Sequence, residues 1–416
     1  MSTRITMLSG RVMMKTDQIK LVVILLCSLF STSAPAEKWY WEPVFSARTG
    51  YDDNIRLEVD DPEGLFDSHL SADARFGFRT EVSDVKFQTA LKTHQYDGAD
   101  DLNYNEALFG VDASLRHELD TFGVDASVLR DSSRTSELDT TGSVATSIPR
   151  IKAYISPSWS RELSETSQLR LSYAFTDVDY QNKSGSLLSS GTNLTDYRYE
   201  NVNIELNKNL SETTDLQTIL FGNRYKTIGR YSKSESIGLQ VGISRRFNET
   251  LSGSLALGVN HIDTFYLNSM QERDEASDIA PLIAISFNKV WERMSLRGSF
   301  ASSQSPGGEG RLLNSNSTSL EFTRKLSERL NFALNGIYTR NETAGGVRNT
   351  GDSRTYFSIE PRLSWQASRW WTISGSYRYR SQEYTETNGG LADSNAVYLS
   401  VEYVWPRPSY DRWMEL

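Results

Sequence analysis

Cysteine is almost missing: Cys27 is the only one in 416 residues. That excludes a disulfide scaffold, which needs several at set spacings. A basic surplus is missing too, because 44 Lys and Arg face 53 Asp and Glu, for a net charge of −9. Nucleic-acid binders carry a basic patch, so no nucleic acid is expected as a partner. No apolar run reaches the roughly 18 residues that a membrane-crossing helix needs. Histidine is scarce: His69, His94, His117 and His261 are the full set, and none has metal-ligand spacing. Neither the G-x-S-x-G elbow nor the G-x-x-x-x-G-K-[ST] loop occurs. The chain therefore reads as a non-enzyme with no cofactor and no metal. The acidic pieces Asp60-Asp61-Pro62-Glu63 and Asp97-Gly98-Ala99-Asp100-Asp101 lack calcium-loop spacing and read as solvated loop charge.

Aromatics are plentiful, with 9 Trp, 20 Tyr and 17 Phe, which excludes a disordered chain. The first 36 residues read as an address. Lys15 and Lys20 precede the apolar run Leu21 to Phe30, and small residues follow to Ala34-Pro35-Ala36. This is the order of a secretory signal peptide, with cleavage expected after Ala36. Removing residues 1–36 also removes Cys27 and leaves a more acidic chain.

The remainder repeats one unit. Short polar turns recur at Val82, Leu119, Leu163, Leu210, Phe247, Val290, Leu326 and Gln366, with gaps of 37, 44, 47, 37, 43, 36 and 40 residues. Several read Leu-Ser-Glu-Thr, as at Leu163 and Leu210. Between turns, apolar and polar residues alternate. Ile237, Leu239, Val241 and Ile243 interleave with Gly238, Gln240, Gly242 and Ser244; Val397, Leu399, Val401 and Tyr403 interleave with Tyr398, Ser400 and Glu402. A period of two means strands with two different surroundings. These stretches run about 10 to 14 residues, well above the usual 5 or 6 of soluble strands. A tilted strand crossing hydrocarbon needs about 9 to 11. A sheet in lipid must close, because every backbone polar group needs a partner within the protein.

The expected fold is therefore all-β: a transmembrane antiparallel up-and-down β-barrel of outer-membrane type. Eight short turns flanked by two strands each, plus one strand at each end, predict 18 strands, with 16 as the alternative. Residues 37–43 are expected as a short periplasmic segment, 44–405 as the single barrel and 406–416 as a C-terminal extension. Longer connections rich in Gly, Ser, Asn and Asp fall at the opposite end, at residues 55–68, 97–104, 133–148, 181–193, 265–276, 305–313, 342–352 and 384–395. Trp159, Phe247, Trp291, Trp365, Trp370, Trp371 and Trp405 are expected as a belt at the short-turn interface. Tyr51, Tyr96, Tyr180, Tyr197, Tyr225, Tyr231 and Tyr384 are expected as its counterpart at the other interface.

An 18-stranded barrel leaves a wet lumen rather than a packed core. The inward parity carries charges of both signs. The pore-lining candidates are Arg75, Arg79, Lys86, Asp112, Arg116, Arg170, Glu205, Arg246, Arg297, Glu321, Glu360, Arg362, Arg378 and Glu402. Mixed sign argues against a strong selector for one ion charge. No segment is long enough for a plug domain, and the long loops are expected to constrict the mouth without filling the bore.

The opening strand Pro43 to Ile55 (PVFSARTGYDDNI) resembles the start of a family of bacterial outer-membrane β-barrels associated with exopolysaccharide biosynthesis and export. The residues that carry the likeness are Tyr51, Asp52, Asp53 and Asn54, with support from the Leu-Ser-Glu-Thr turns and Trp405. The resemblance implies a conduit for a capsule or biofilm-matrix polysaccharide, beside a periplasmic polysaccharide-export protein. Outer-membrane lipid and the outer-membrane assembly machinery are the further implied partners. One departure is the tail Pro406 to Leu416, which runs past the terminal aromatic that this machinery reads. Three functions follow as expectations: polysaccharide export, a general or sugar-type diffusion porin, and a surface scaffold or adhesin.

Overall fold

The computed structural model describes residues 38–138, 140–142, 144, 147–181, 194–228, 232–267, 273–344, 353–384 and 390–405. The expected signal peptide with its Ala36 cleavage site, the tail 406–416 and Tyr231 lie outside the described residues. The strands are β1 (Lys38–Asp52), β2 (Leu65–Arg79), β3 (Ser83–Tyr96), β4 (Tyr104–His117), β5 (Asp120–Ser132), β6 (Pro149–Ser164), β7 (Ser167–Tyr180), β8 (Tyr197–Ser211) and β9 (Thr214–Thr227). They continue with β10 (Ser232–Asn248), β11 (Leu251–Leu267), β12 (Arg273–Val290), β13 (Met294–Gly307), β14 (Arg311–Lys325), β15 (Leu330–Thr343), β16 (Arg354–Gln366), β17 (Trp371–Tyr384) and β18 (Leu391–Val404). One helical turn, α1 (Ser133–Ser136), follows β5.

The sheet has 18 antiparallel strands, each beside its chain neighbours, and closes where β1 meets β18 from Val44↔Val404 to Asp52↔Ala396. This is the closed up-and-down barrel that the alternation requires, and the 16-stranded alternative falls. Residues 38–43, expected as a segment ahead of the barrel, are already strand: Lys38↔Arg79 to Pro43↔Ala74 pair with β2 below the point where β18 ends. A ninth connection at the long-loop end, residues 228–231 between β9 and β10, was not among those expected.

The short turns explain the repeat. In Ser-Glu-Thr, the Ser Oγ accepts the backbone N–H two residues on: Thr166 N to Ser164 and Thr213 N to Ser211, both 3.3 Å. Asn248 does the same for Thr250, at 3.0 Å. Each of these turns carries a one-residue register shift, at 162/164, 209/211 and 246/248. A short polar side chain that bonds to its own backbone is what so tight a reversal needs.

Two stretches with blurred alternation are strands nonetheless. In β6 the ladder to β7 skips Ser156 and Pro157, because proline has no N–H to give. In β9 the inward parity holds the apolar Ile219 and Phe221, so the two faces look alike in sequence.

The outer face carries the apolar belt: Leu257 and Val259 are 54% and 57% exposed, beside Leu239 and Val241. Trp39, Trp41, Phe247, Trp291, Trp365, Trp371 and Trp405 are exposed at the short-turn end and form its aromatic girdle.

Candidate functional site: the lumen and its crosspiece

By strand register, all fourteen pore-lining candidates project from the face opposite the apolar belt. Most sit in the short-turn half; Glu360 is near mid-strand and Arg378 is in the long-loop half. Several pair across or along strands: Lys86 Nζ with Asp112 Oδ1 at 3.5 Å, Arg297 with Glu321 at 3.1 Å and Arg362 with Glu360 at 2.6 Å. Arg79 pairs with Asp84 at 2.6 Å. Glu205 accepts from Asn207 and Gln217, each at 2.7 Å, and stands opposite Arg170 in register. Arg246 donates to the Glu212 carbonyl at 2.9 Å. In register, Arg75 is opposite Glu42 and Gln88, Arg116 is opposite Thr121, and Glu402 is opposite Ser46 and Thr372. Exposed pairs of this kind add little stability each. Their effect is to set a hydrated wall of balanced charge.

The long-loop half differs from the expected wet bore. Ile148, Val178, Tyr180, Leu194, Tyr197, Tyr225, Ile262, Ala280, Leu312 and Ala344 form one buried cluster on the inner side. Tyr180, Tyr197 and Tyr225, expected at the outer interface, therefore point inward; Tyr96 does so in a separate cluster with Ile55, Leu65 and Leu102, and Tyr384 turns in to donate to the Thr141 carbonyl at 2.9 Å. Tyr51 does face outward, and it packs on Phe66 with ring centroids 5.1 Å apart. The signal was in the parity: Tyr180 has the same even register as Arg170, and Tyr96 the same as Lys86. Register, not ring type, decides which face these side chains take.

Two inward-folded elements build this cluster. The first is the β5–β6 loop, which begins with α1. Ser132 caps α1 by accepting Arg134 N at 3.2 Å. Arg134 then donates to the carbonyls of Val144 and, at 3.1 Å, Ile55. At the far side, Asn341 of β15 donates to the Thr140 carbonyl at 2.6 Å. Gly142, with φ +73°, presses against the Arg354 side chain of β16, where an added Cβ would collide with the guanidinium. The loop thus runs from β5 to the wall formed by β15–β17 and crosses the barrel.

The second element is the β13–β14 hairpin, whose tip leans inward. Tyr225 Oη of β9 donates to the Gly307 carbonyl at 3.1 Å, and Thr195 N donates to the Gly308 carbonyl at 2.7 Å. Glu137, 1% exposed, joins the two elements. It accepts from Tyr180 Oη, from Thr140 Oγ1 at 2.6 Å, from Thr141 Oγ1 at 3.1 Å and from Gly308 N at 3.3 Å. A buried carboxylate needs such a donor set to offset its desolvation. At the root of the loop, Arg150 grips Asp131 through two bonds of 2.9 and 2.7 Å.

The motif Tyr51-Asp52-Asp53-Asn54 sits at the seam. Asp52, fully buried, accepts from Arg380 at 2.7 Å, Arg378 at 3.3 Å and Ser394 at 2.6 Å. Asp53 takes Asn395 N and Nδ2 at 2.6 and 2.9 Å. Asn54 Nδ2 reaches the carbonyls of Glu58 and Asp393 at 2.8 and 2.9 Å. These residues stitch the first strand to the last two. Outside the strands, Arg56 clamps Asp101 through bonds of 2.9 and 3.0 Å and Glu63 at 3.0 Å, joining the two acidic loops. The Arg56 hydrogen bond holds the Asp101 carboxyl below its ordinary value.

Fold and lumen define an outer-membrane-type β-barrel with a crossed mouth. Among solved structures, it resembles Pseudomonas aeruginosa OccK2 (OpdF) in complex with glucuronate: 12% identity, TM-score 0.47, covering 88% of this chain and 98% of that one. It also resembles P. aeruginosa OpdK (11%, TM-score 0.46, 88% and 99%) and Acinetobacter baumannii OccAB4 (11%, TM-score 0.45, 90% and 100%). No protein-family model and no curated protein matches the chain.

Proposed function

We propose that this protein is a diffusion channel of the bacterial outer membrane for small hydrophilic solutes, its size limit set by the crosspiece between β5 and β6. The observation that carries this reading is the loop Ser133–Ile148, anchored on the β15–β17 side through Thr140, Thr141 and Gly142. A loop pinned across the bore narrows the path, while the charged wall below it stays hydrated. Mixed lumen charge favours weak ion discrimination over strong selection. Small solutes fit such a path better than a hydrated polymer does, so the diffusion porin ranks above polysaccharide export. The export reading draws its support from the opening-strand resemblance, and those residues serve the barrel seam.

Purified protein in a planar bilayer tests this. The expected result is a steady conductance, with liposome swelling in monosaccharides and none in long oligosaccharides. Absence of conductance from a folded barrel would overturn the reading. Passage of a polysaccharide chain would instead support export.

A further inference from the structure

The barrel wall is split between β12 and β13. Their ladder stops at Ala284↔Ala301, although β12 continues to Arg273 and β13 to Gly307. Above that point β12 remains paired with β11 up to Leu267↔Arg273, and β13 with β14 up to Gly307↔Arg311.

Each lip carries a proline. Alternate residues of an antiparallel strand bond to opposite neighbours. Val290 donates to the Thr250 carbonyl on the β11 side at 2.8 Å, so even positions of β12 serve β11 and odd positions serve β13. Pro281 is odd and has no N–H for β13; its carbonyl takes Ser302 Oγ at 3.5 Å instead. Lys325 of β14 donates to the Arg293 carbonyl at 2.8 Å, so odd positions of β13 serve β14 and even ones face β12. Pro306 is even. Each lip thus lacks one donor on the edge that faces the split, which interrupts pairing there.

The split opens on the lipid belt. Ile279, 68% exposed, lies on the outer face of the β12 lip, level with His261 and next to Val259 and Pro281. Behind it, Ala280, Leu282, Ile262 and Leu312 are buried. On the other lip Ser302 and Gln304 have the outward parity, but that hairpin leaves the belt and turns inward: Gln304 accepts from the inward Asn260 at 2.6 Å, which leaves Ser302 as the polar group beside the split. On the outer face the split rises from Pro281, beside Val259, past Ile279 to the exposed His261–Asp263 pair, so it spans the edge of the apolar belt. Apolar backing suits a hydrocarbon chain, and the polar lip suits a head group.

We infer that the β12–β13 split is a side entrance through which a single-chain amphiphile, a long acyl chain with a polar head, passes from the outer leaflet into the barrel. This goes beyond the aqueous channel and does not rest on it.

The test is photolabelling of the full chain in proteoliposomes with a palmitate analogue bearing a diazirine near the chain end. Label on Ala280 and Leu312, assigned to single residues by fragmentation, is expected. In the double variant Ile283→Cys with Ser302→Cys, oxidation staples the split; inner labelling should fall severalfold and return on reduction. Should the disulfide not form, Pro281→Val with Pro306→Val supplies the missing donors and should reduce the same labelling by zipping the lips. Label confined to outward residues such as Ile279 and Val259 in the parent chain would overturn the inference. So would inner labelling that neither stapling nor zipping changes. Conductance recorded alongside separates the two paths: a barrel that labels inside but does not conduct keeps the side entrance and loses only the aqueous reading.

Discussion

Asp52 and Arg380 stand 328 residues apart in the chain and 2.7 Å apart in space. Their contact lies at the end of the nine-pair ladder that closes the barrel, where β1 meets β18 and the neighbouring β17. Removing Asp52 leaves two guanidiniums, Arg378 and Arg380, facing each other without their carboxylate. Breaking a buried pair from one side costs about 3–5 kcal/mol. Asp52→Ala should therefore lower the temperature at which the folded band is lost on heated gels, and adding Arg380→Met should recover part of it. An unchanged transition would show that the seam is held by backbone pairing alone.

Glu137 is the latch of the crosspiece. Glu137→Ala removes the acceptor shared by Tyr180, Thr140, Thr141 and Gly308. The wall strands keep their ladders, so the barrel should still fold. Single-channel conductance should rise and the size limit for sugars should relax. Conductance equal to the parent's would mean that the constriction lies elsewhere.

Face assignment has a simple check. Leu257, 54% exposed, lies mid-belt, whereas Gln240 on the neighbouring strand points inward. Leu257→Arg should destabilise the barrel in lipid by about 2–4 kcal/mol, and Gln240→Arg by far less. Denaturant unfolding from vesicles reads both. Equal losses would contradict the two-faced wall.

The Arg56–Asp101 clamp predicts a pH response at the mouth. Asp101 has a depressed value in the folded state, so its contribution is complete above the ordinary carboxylate value. It is lost only as pH falls through the lower folded value. Spin labels at Asp60→Cys and Asp97→Cys should keep their separation from neutral pH down to about 4, near the ordinary Asp value, and spread below it. With Arg56→Gln added, the labels should already be spread at neutral pH, with little further change on acidification. Identical profiles would remove the clamp from the account.

Much of this protein was legible from its residues. Alternation with period two in stretches too long for soluble strands required a closed barrel, and eight short polar turns, each between two strands, with one strand more at each end, set its strand number. Register placed the charged candidates on the lumen side, since the pleat leaves only two choices, whereas Tyr96, Tyr180, Tyr197 and Tyr225 were expected outside by ring type and lie inside. What lay beyond reach was the interior of the mouth. Loops have no period, and the contact that fixes the crosspiece joins Glu137 to Gly308, 171 positions away. The split between β12 and β13 falls between these cases. Pro281 and Pro306 are visible in the chain, but which neighbour each faces follows only from the assembled ladder. Local pattern decided the wall because each strand needs only its neighbours; the bore was decided by segments far apart in the chain that meet only across the closed barrel.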